Sequence, residues 1–281
     1  MANFRQTRRN AANIAFTGFC WVAALIAIVA LTAILWSLLV KGLGGLSLNT
    51  FVLSTPAAGT PGGLLNAIVG SVFMSALGML VSVAIGVMAG TYLAEYGRNS
   101  AYANLIRFLN DILLSAPSIL VGLFVWNALV APFHRYSALA GAFALALIAV
   151  PIVTRTTEDV LKLQPPALRE AGVALGVPMW TTIRQILWTA AGGGILTGGL
   201  LAFARISGET APLLFTAFGN PSLSFDVTHP MSALGLVMNQ LAGSPADDLV
   251  QLAWVAALVV TFAVLAINIV ARFLTREQKR S

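Results

Sequence analysis

The sequence predicts an all-α membrane protein with six transmembrane helices. Of its 281 residues, 58% are hydrophobic and only 9% are charged, whereas soluble domains carry about 25% charged residues. The apolar residues also cluster into runs of about 20, the length that a helix needs to cross a hydrocarbon layer of roughly 30 Å. We therefore interpret the whole chain, residues 1–281, as a single transmembrane domain. The predicted spans cover residues 14–40, 64–94, 105–131, 137–153, 187–218 and 249–273.

The first apolar run, Ala11 to Val40, predicts a retained membrane anchor. It is too long for the hydrophobic core of a signal peptide, which has about 7 to 15 residues. The single cysteine, Cys20, lies inside this run, so a disulfide within the chain is excluded. Its apolar surroundings indicate a packing role.

The distribution of positive charge predicts the orientation of the chain. The formal net charge of +6 is read as a topological signal rather than as a nucleic-acid-binding surface, because Lys and Arg concentrate in cytoplasmic loops. Only Lys41 and Arg135 fall in the opposite loops, and Arg205 lies within a span. Both termini are therefore predicted to lie in the cytoplasm. The residues predicted on the cytoplasmic side are Arg5, Arg8, Arg9, Arg98, Arg107, Arg155, Lys162, Arg169, Arg184, Arg272, Arg276, Lys279 and Arg280.

Stripes of small residues in two spans predict close helix packing, because association in lipid depends on packing contacts. The stripes form either a subunit or gating interface or ordinary contacts within the chain, and the sequence leaves both open. They comprise Gly70, Gly78, Ser82, Gly86 and Gly90, interrupted by Met74, in the second span, and Ala190, Gly194, Gly198 and Ala202 in the fifth.

Two segments between spans are less apolar. Residues 154–186 form the predicted cytoplasmic loop, in which Pro165 and Pro166 favour the start of a helix. Residues 219–248 form the predicted external segment, which is either a plain connector or a short helix at the surface around the apolar stretch 231–238.

The cytoplasmic loop carries the first specific motif. Residues 170–176 read E-A-G-V-A-L-G, and Ile186 follows ten residues later. This pattern resembles the EAA loop of binding-protein-dependent ABC importer permeases. Three positions depart from the family pattern: Gly172 stands for its second Ala, and Trp188 and Thr189 stand for its Leu and Pro.

The EAA-like motif predicts a short helix that contains Glu170, Ala171 and Gly172. Small residues allow such a helix to lie in a groove of a partner. Gly176 is predicted to end it as a C-cap. The resemblance implies that these four residues couple the chain to a separate ATPase.

Two further segments narrow the resemblance. Residues 204–217 read A-R-I-S-G-E-T-A-P-L-L-F-T-A, and residues 110–124 read N-D-I-L-L-S-A-P-S-I-L-V-G-L-F. Both are similar to PstA-type permease subunits of phosphate ABC importers. The resemblance implies the type I ABC importer permease fold, a location in the bacterial inner membrane and inorganic phosphate as the substrate.

The resemblance also implies partners. The sequence contains no G-x-x-x-x-G-K-[ST] motif for nucleotide phosphates, so ATP and Mg are expected on an ATPase dimer of the PstB type and no cofactor is expected in this chain. A homologous PstC-like permease and an external PstS-like phosphate-binding protein are the other implied partners. The two histidines, His134 and His229, lack neighbours at metal-ligand spacing, and no pairing of nucleophile and base is evident, so neither a metal site nor an enzyme is predicted.

Arg205 and Glu209 are the predicted substrate-path residues. They lie four positions apart in an apolar segment, hence on one face of a helix. Each charge costs about 2.5 to 3.5 kcal/mol at the centre of a membrane, so such residues normally face a protein interior or an aqueous path. Arg205 is predicted to bind phosphate, with Glu209 holding Arg205 in the absence of an anion. The alternative is a salt bridge that only fixes helix packing.

Two further residues are candidates near the path. Pro212 removes a backbone donor and is predicted to bend the fifth span, either for gating or as an ordinary membrane-helix proline. Asp111, near the cytoplasmic end of the third span, lies either on the path or in a capping or interfacial position.

Two alternative functions stay open at this point. A permease of the same fold could carry another oxyanion, such as sulfate or molybdate, because a binding protein sets much of the selectivity. A self-contained secondary carrier is disfavoured by the EAA-like loop and by the lack of an evident inverted repeat.

Overall fold

A computed structural model describes residues 2–97 and 100–277, with side chains described for residues 9, 10, 12–97 and 100–269. Within these residues all regular structure is helical. Five helices are long and apolar enough to cross a membrane, and a bent pair brings the number of spans to six if it counts as one. The five are the first span Ala12–Gly45, the second Leu65–Tyr96, the fourth Ala138–Lys162, the fifth Met179–Ser207 and the sixth Asp247–Ile269.

Part of the charge pattern lies outside this description. Arg98, Lys279 and Arg280 are not among the described residues. The side chains of Arg5, Arg8, Arg272 and Arg276 are also outside it.

The third span is broken, so the predicted continuous helix over residues 105–131 is wrong. The span consists of two helices, Ala101–Ser115 and Ser118–Phe133, and the chain bends by 107° between them. Pro117 causes the break, because it has no backbone N–H and its ring pushes the preceding residue out of the helical region. Ala116 accordingly is extended, with ψ of 135°.

The fourth span is the central helix of the bundle, and it is longer than predicted. It begins after Ser137, whose hydroxyl accepts a hydrogen bond from the amide of Ala140, and it continues to Lys162 instead of ending at residue 153. The polar residues that suggested a loop are buried against neighbouring helices, among them Thr154, Thr157 and Glu158. The predicted cytoplasmic loop over residues 154–186 therefore starts as a continuation of this helix.

The small residues of the second and fifth spans pack mainly against the central helix. A Cβ at Gly86 would lie 2.7 Å from Cβ of Val153. A Cβ at Gly198 would also lie 2.7 Å from Cβ of Thr156. Contacts within the chain thus account for most of both stripes. Gly70 packs against Ser232 rather than against the central helix, and Ala190 is exposed.

The fifth span ends earlier than predicted. The helix Met179–Ser207 stops at Gly208, and a separate short helix, Ala211–Thr216, follows it. The prediction of one span over residues 187–218 with a bend at Pro212 is therefore wrong. Pro212 lies in the first turn of the short helix, a position where its missing N–H leaves no helical bond unmade.

The two ends of the bundle differ. One end carries the helix Pro166–Ala174, here called the EAA helix. The opposite end carries the segment that follows Thr216, including the helix Leu234–Ala242. This second helix does not lie at the surface as one prediction had it, because Leu236 and Val237 are buried in the core.

The first span is almost entirely exposed within this chain. It meets the sixth span near the opposite end, where a Cβ at Gly42 would lie 2.8 Å from Cβ of Leu258. Cys20 is exposed on the first span, so its predicted packing role has no counterpart within this chain.

Candidate substrate path and coupling helix

The predicted charged pair lies at the break in the fifth span. Arg205 belongs to the last turn of the fifth span, Met179–Ser207, and Glu209 follows the end of that helix. The Nη1 atom of Arg205 is ion-paired with Oε1 of Glu209. The Glu209 side chain is only 6% exposed, whereas that of Arg205 is 52% exposed. A buried carboxylate thus holds a guanidinium that is open on its other side.

The break lies within the bundle rather than at either end of it. Before the break, Gly198 faces Thr156 of the central helix. After it, the carbonyl of Thr216 accepts a hydrogen bond of 3.0 Å from the amide of Ser137, at the opposite end of that helix. The break therefore falls between these two levels. Non-helical backbone at such a depth is tolerated where it is enclosed by protein or lines a water-filled cavity.

Two glycines allow neighbouring helices to close around the break. A Cβ at Gly122, in the second half of the bent pair, would lie 2.6 Å from Cα of Pro212. A Cβ at Gly235 would lie 2.7 Å from Oγ1 of Thr210 and 3.0 Å from the carbonyl oxygen of Glu209. Any side chain at these positions would displace the broken segment. Sequence reasoning did not single out either glycine, because their neighbours are distant along the chain.

Asp111 has partners other than the charged pair at the break. Its Oδ1 atom lies 3.8 Å from Nη1 of Arg155. Arg155 also lies 3.4 Å from a carboxylate oxygen of Asp159. The ion pairs of Asp111 and Arg205 share no member. Sequence reasoning had placed Arg155 in the cytoplasmic loop, because the fourth span was predicted to end before it.

The EAA helix has the predicted C-cap. Gly176 has φ of 67°, its amide donates to the carbonyl of Val173 at 2.9 Å, and the amide of Val177 donates to the carbonyl of Gly172 at 3.0 Å. These two bonds form a Schellman motif, which satisfies the last carbonyls of the helix. The prediction that Gly176 ends this helix is confirmed.

The EAA helix has one packed face and one exposed face. Gly172 is buried, and a Cβ there would lie 2.7 Å from Cγ2 of Thr182. This contact explains why glycine replaces the alanine of the usual motif. Glu170 and Ala171 are exposed, as are Val173, at 71%, and Leu175, at 77%. Two large apolar side chains thus accompany Glu170 on a free surface.

The segment at the opposite end contains a local polar cluster. The hydroxyl and the backbone N–H of Thr228 donate to the carboxylate of Asp226, and His229 Nδ1 lies 2.7 Å from its other oxygen. The Thr228 hydroxyl bond, the Thr228 backbone bond and the His229 contact lower the pKa of Asp226 from 3.8 to about 2. Across the part of the chain that the structure covers, no group of three or more His, Cys, Asp or Glu residues could hold a metal ion.

Known proteins resemble this chain in sequence and in fold. Residues 82–280 match the family described as "Binding-protein-dependent transport system inner membrane component". The chain is 50% identical over 277 residues to the phosphate transport system permease protein PstA of Haemophilus influenzae, which covers 99% of this chain and 98% of that protein. It is 52% identical over 239 residues to the protein of the same name from Pasteurella multocida, with 85% of each chain covered.

The fold also matches a solved transporter. A chain from the inward-facing MetNI methionine ABC transporter superposes with a TM-score of 0.63 at 19% identity, covering 76% of this chain and 95% of that chain. Such a low identity supports the fold alone, and the fold is that of an ABC importer permease. The chain therefore belongs to the binding-protein-dependent transport system inner membrane components and, among them, to the PstA permease proteins.

Proposed function

We propose that this chain is a transmembrane subunit of an ATP-driven phosphate importer, that it forms half of the translocation path, and that Arg205 binds phosphate on that path. The observation that carries the proposal is the helix break, where a half-exposed Arg205 is held by the buried Glu209. The PstA relatives, whose names specify phosphate transport, support the choice of anion.

The chemistry of the pair suits a transient anion site. Guanidinium has five N–H donors, and its planar fork matches two phosphate oxygens. Glu209 engages Nη1 of Arg205, which leaves donors for an anion on the exposed side. Because Glu209 competes for the same cation, it limits how tightly phosphate binds. A Glu209 carboxylate could also accept a hydrogen bond from the P–OH of protonated phosphate, a donor that sulfate lacks.

The other path residues have supporting roles in this proposal. Asp111, paired with Arg155, lies on the side of the break that faces the EAA end. Pro212 fixes the start of the short helix Ala211–Thr216. We assign gating to the movement of this short helix, because the helix break leaves it free of the fifth-span hydrogen-bond ladder.

The proposed assembly has four kinds of component. Family membership implies an ATPase and a binding protein as partners in the inner membrane transport system. In the finer proposal these are a PstB-like ATPase dimer that holds ATP and Mg, an external PstS-like protein that delivers phosphate, and a PstC-like permease that forms the other half of the path. The EAA helix docks on the ATPase with Glu170, Ala171 and the apolar surface beside them, and both termini lie in the cytoplasm.

The test is uptake of labelled phosphate at low external concentration in cells that lack this chain or carry it as wild type, Arg205→Gln or Arg135→Gln. Arg135 is exposed at the opposite end and serves as the matched control. We expect deletion and Arg205→Gln to abolish uptake at equal membrane levels, while Arg135→Gln retains it. Wild-type uptake by Arg205→Gln would refute the site. Loss of sulfate uptake with intact phosphate uptake on deletion would refute the choice of anion.

A further inference from the structure

A buried ion pair joins the EAA helix to the second span. Glu95 lies in the last turn of the second span, and its side chain is fully buried. Arg169 belongs to the EAA helix and is 18% exposed. Its Nε donates to Oε2 of Glu95 at 2.8 Å, and its Nη2 donates to Oε1 at 2.6 Å. These two parallel bonds form a fork-to-fork arrangement, which fixes orientation as well as distance.

The same guanidinium also binds the end of the central helix. Nη1 of Arg169 donates to the carbonyl of Gln164 at 3.0 Å, and Nη2 donates to the carbonyl of Leu161 at 2.9 Å. The last carbonyls of a helix have no partner within it and attract cations. The hydrogen bonds to Glu95 raise the pKa of Arg169 above its usual value. One side chain thus ties together the EAA helix, the second span and the central helix.

Arg169 occupies the face of the EAA helix that points into the protein. Gly172, three residues later and on the same side, is buried against Thr182. Glu170 is adjacent in sequence but exposed, and Val173 is exposed as well. The outward face is thus available to a partner, whereas the inward face is fixed to the membrane helices.

We propose that the Arg169–Glu95 pair makes the EAA helix and the second span move as one unit, so that displacement of the helix by the ATPase is passed to the transmembrane bundle. The inference rests on the proposed function, since it concerns how that ATPase is coupled to transport. Arg169 and Glu95 are positioning residues and touch neither phosphate nor nucleotide. Motion of the second span can reach the broken fifth span through the central helix. The glycine stripe of the second span packs along the central helix, and the central helix in turn flanks the fifth span.

The chain offers a matched control. Lys162 is ion-paired at 2.5 Å with Glu158, another buried carboxylate, but both residues belong to the central helix. Lys162→Gln therefore removes a charged hydrogen bond at a buried carboxylate without separating two elements. Arg169→Gln and Glu95→Gln do separate two elements.

The first measurement is phosphate transported per ATP hydrolysed in the reconstituted complex with its ATPase and binding protein. We expect Arg169→Gln to lower this ratio about tenfold or more, within the usual range of coupling between sites, and Lys162→Gln to leave it unchanged. The double variant Glu95→Gln/Arg169→Gln should be no worse than the poorer single variant, because each single variant already removes the Arg169–Glu95 pair. A wild-type ratio in Arg169→Gln, an equal fall in Lys162→Gln, or multiplying single effects would overturn the proposal.

The second measurement does not depend on a variant that removes a buried charge. Ala167 and Tyr96 are exposed on the two joined elements, so spin labels on cysteines there, in a Cys20→Ser background, report their separation. We expect the separation to be the same in the ATP-free and ATP-bound complexes, and a change of several ångströms would overturn the proposal. This readout needs the complex and ATP, but no transport of phosphate. A wild-type complex that fails to move phosphate would therefore refute the proposed function without deciding this inference, which the label distances decide.

Discussion

Adding one methyl group at Gly122 should disturb the helix break. In the variant Gly122→Ala, the new Cβ would lie 2.6 Å from Cα and 3.0 Å from the carbonyl oxygen of Pro212. Carbon atoms pack best at about 3.5 to 4.0 Å, so the two segments must separate by about 1 Å. Both sides of this contact are backbone, and no side-chain rotation relieves it. Overpacking of this kind costs about 1 to 3 kcal/mol.

The strain has two outlets, and both are measurable. Either the permease loses thermal stability, or the short helix with Pro212 shifts and carries Glu209 away from Arg205, which lowers uptake. A cost of 1.4 kcal/mol corresponds to a change of about tenfold in the equilibrium constant, whether for unfolding or for the separation of Glu209 from Arg205. Phosphate uptake and the melting temperature of the purified complex are compared with those of Gly192→Ala, where a Cβ meets nothing within 4 Å. Wild-type values of both quantities for Gly122→Ala would refute the reasoning.

Three further predictions concern other parts of the chain. Gly172→Ala restores the usual EAA motif but crowds Thr182, so we expect weaker coupling of ATP hydrolysis to uptake, and Thr182→Ala should restore it. Because the pKa of Asp226 is lowered to about 2, the contribution of its hydrogen bonds should be complete above about pH 4 and lost as the pH falls toward 2, as measured by hydrogen exchange of the Thr228 amide. Trp188→Phe removes the 3.0 Å hydrogen bond from Nε1 to Oγ1 of Thr91 and should lower the stability of the complex by about 1 kcal/mol, measured by thermal unfolding.

Each of these three has a decisive control. Thr182→Ala alone should couple normally, and failure of the double variant to recover would contradict the crowding argument. In Asp226→Asn, the protection of the Thr228 amide, taken relative to an unprotected amide at the same pH, should not change between pH 2 and 5. Protection lost already at pH 5 in the wild type would contradict the pKa. Thr91→Val should add nothing to Trp188→Phe if the two groups act only on each other.

Hydropathy predicted the number of spans better than their ends. Averaging over about 20 residues detects apolar runs but does not resolve a break inside one. Pro117 splits the third span, and Gly208 ends the fifth. Hydropathy also ended the fourth span too early. Thr157 and Glu158 are polar and suggested a loop, but they continue the helix because neighbouring helices bury them.

The sequence by itself determined the features that depend on local chain geometry or on composition. The apolar runs determined a membrane protein, the residues from Glu170 to Gly176 determined a capped EAA helix, and the four-residue spacing of Arg205 and Glu209 allowed them to pair. In each case the interacting groups lie within a few residues or the signal is an average over many. The family resemblance likewise rested on short segments, residues 110–124, 170–176 and 204–217.

Only the tertiary structure decided which of these groups are buried, which are open and what they join. Glu209 is buried while Arg205 stays half exposed, because helices distant along the chain close around the break at Gly122 and Gly235. Arg169 meets Glu95 across 74 positions of sequence. No local pattern encodes such a meeting, since it arises only when the second span, the central helix and the EAA helix have packed together.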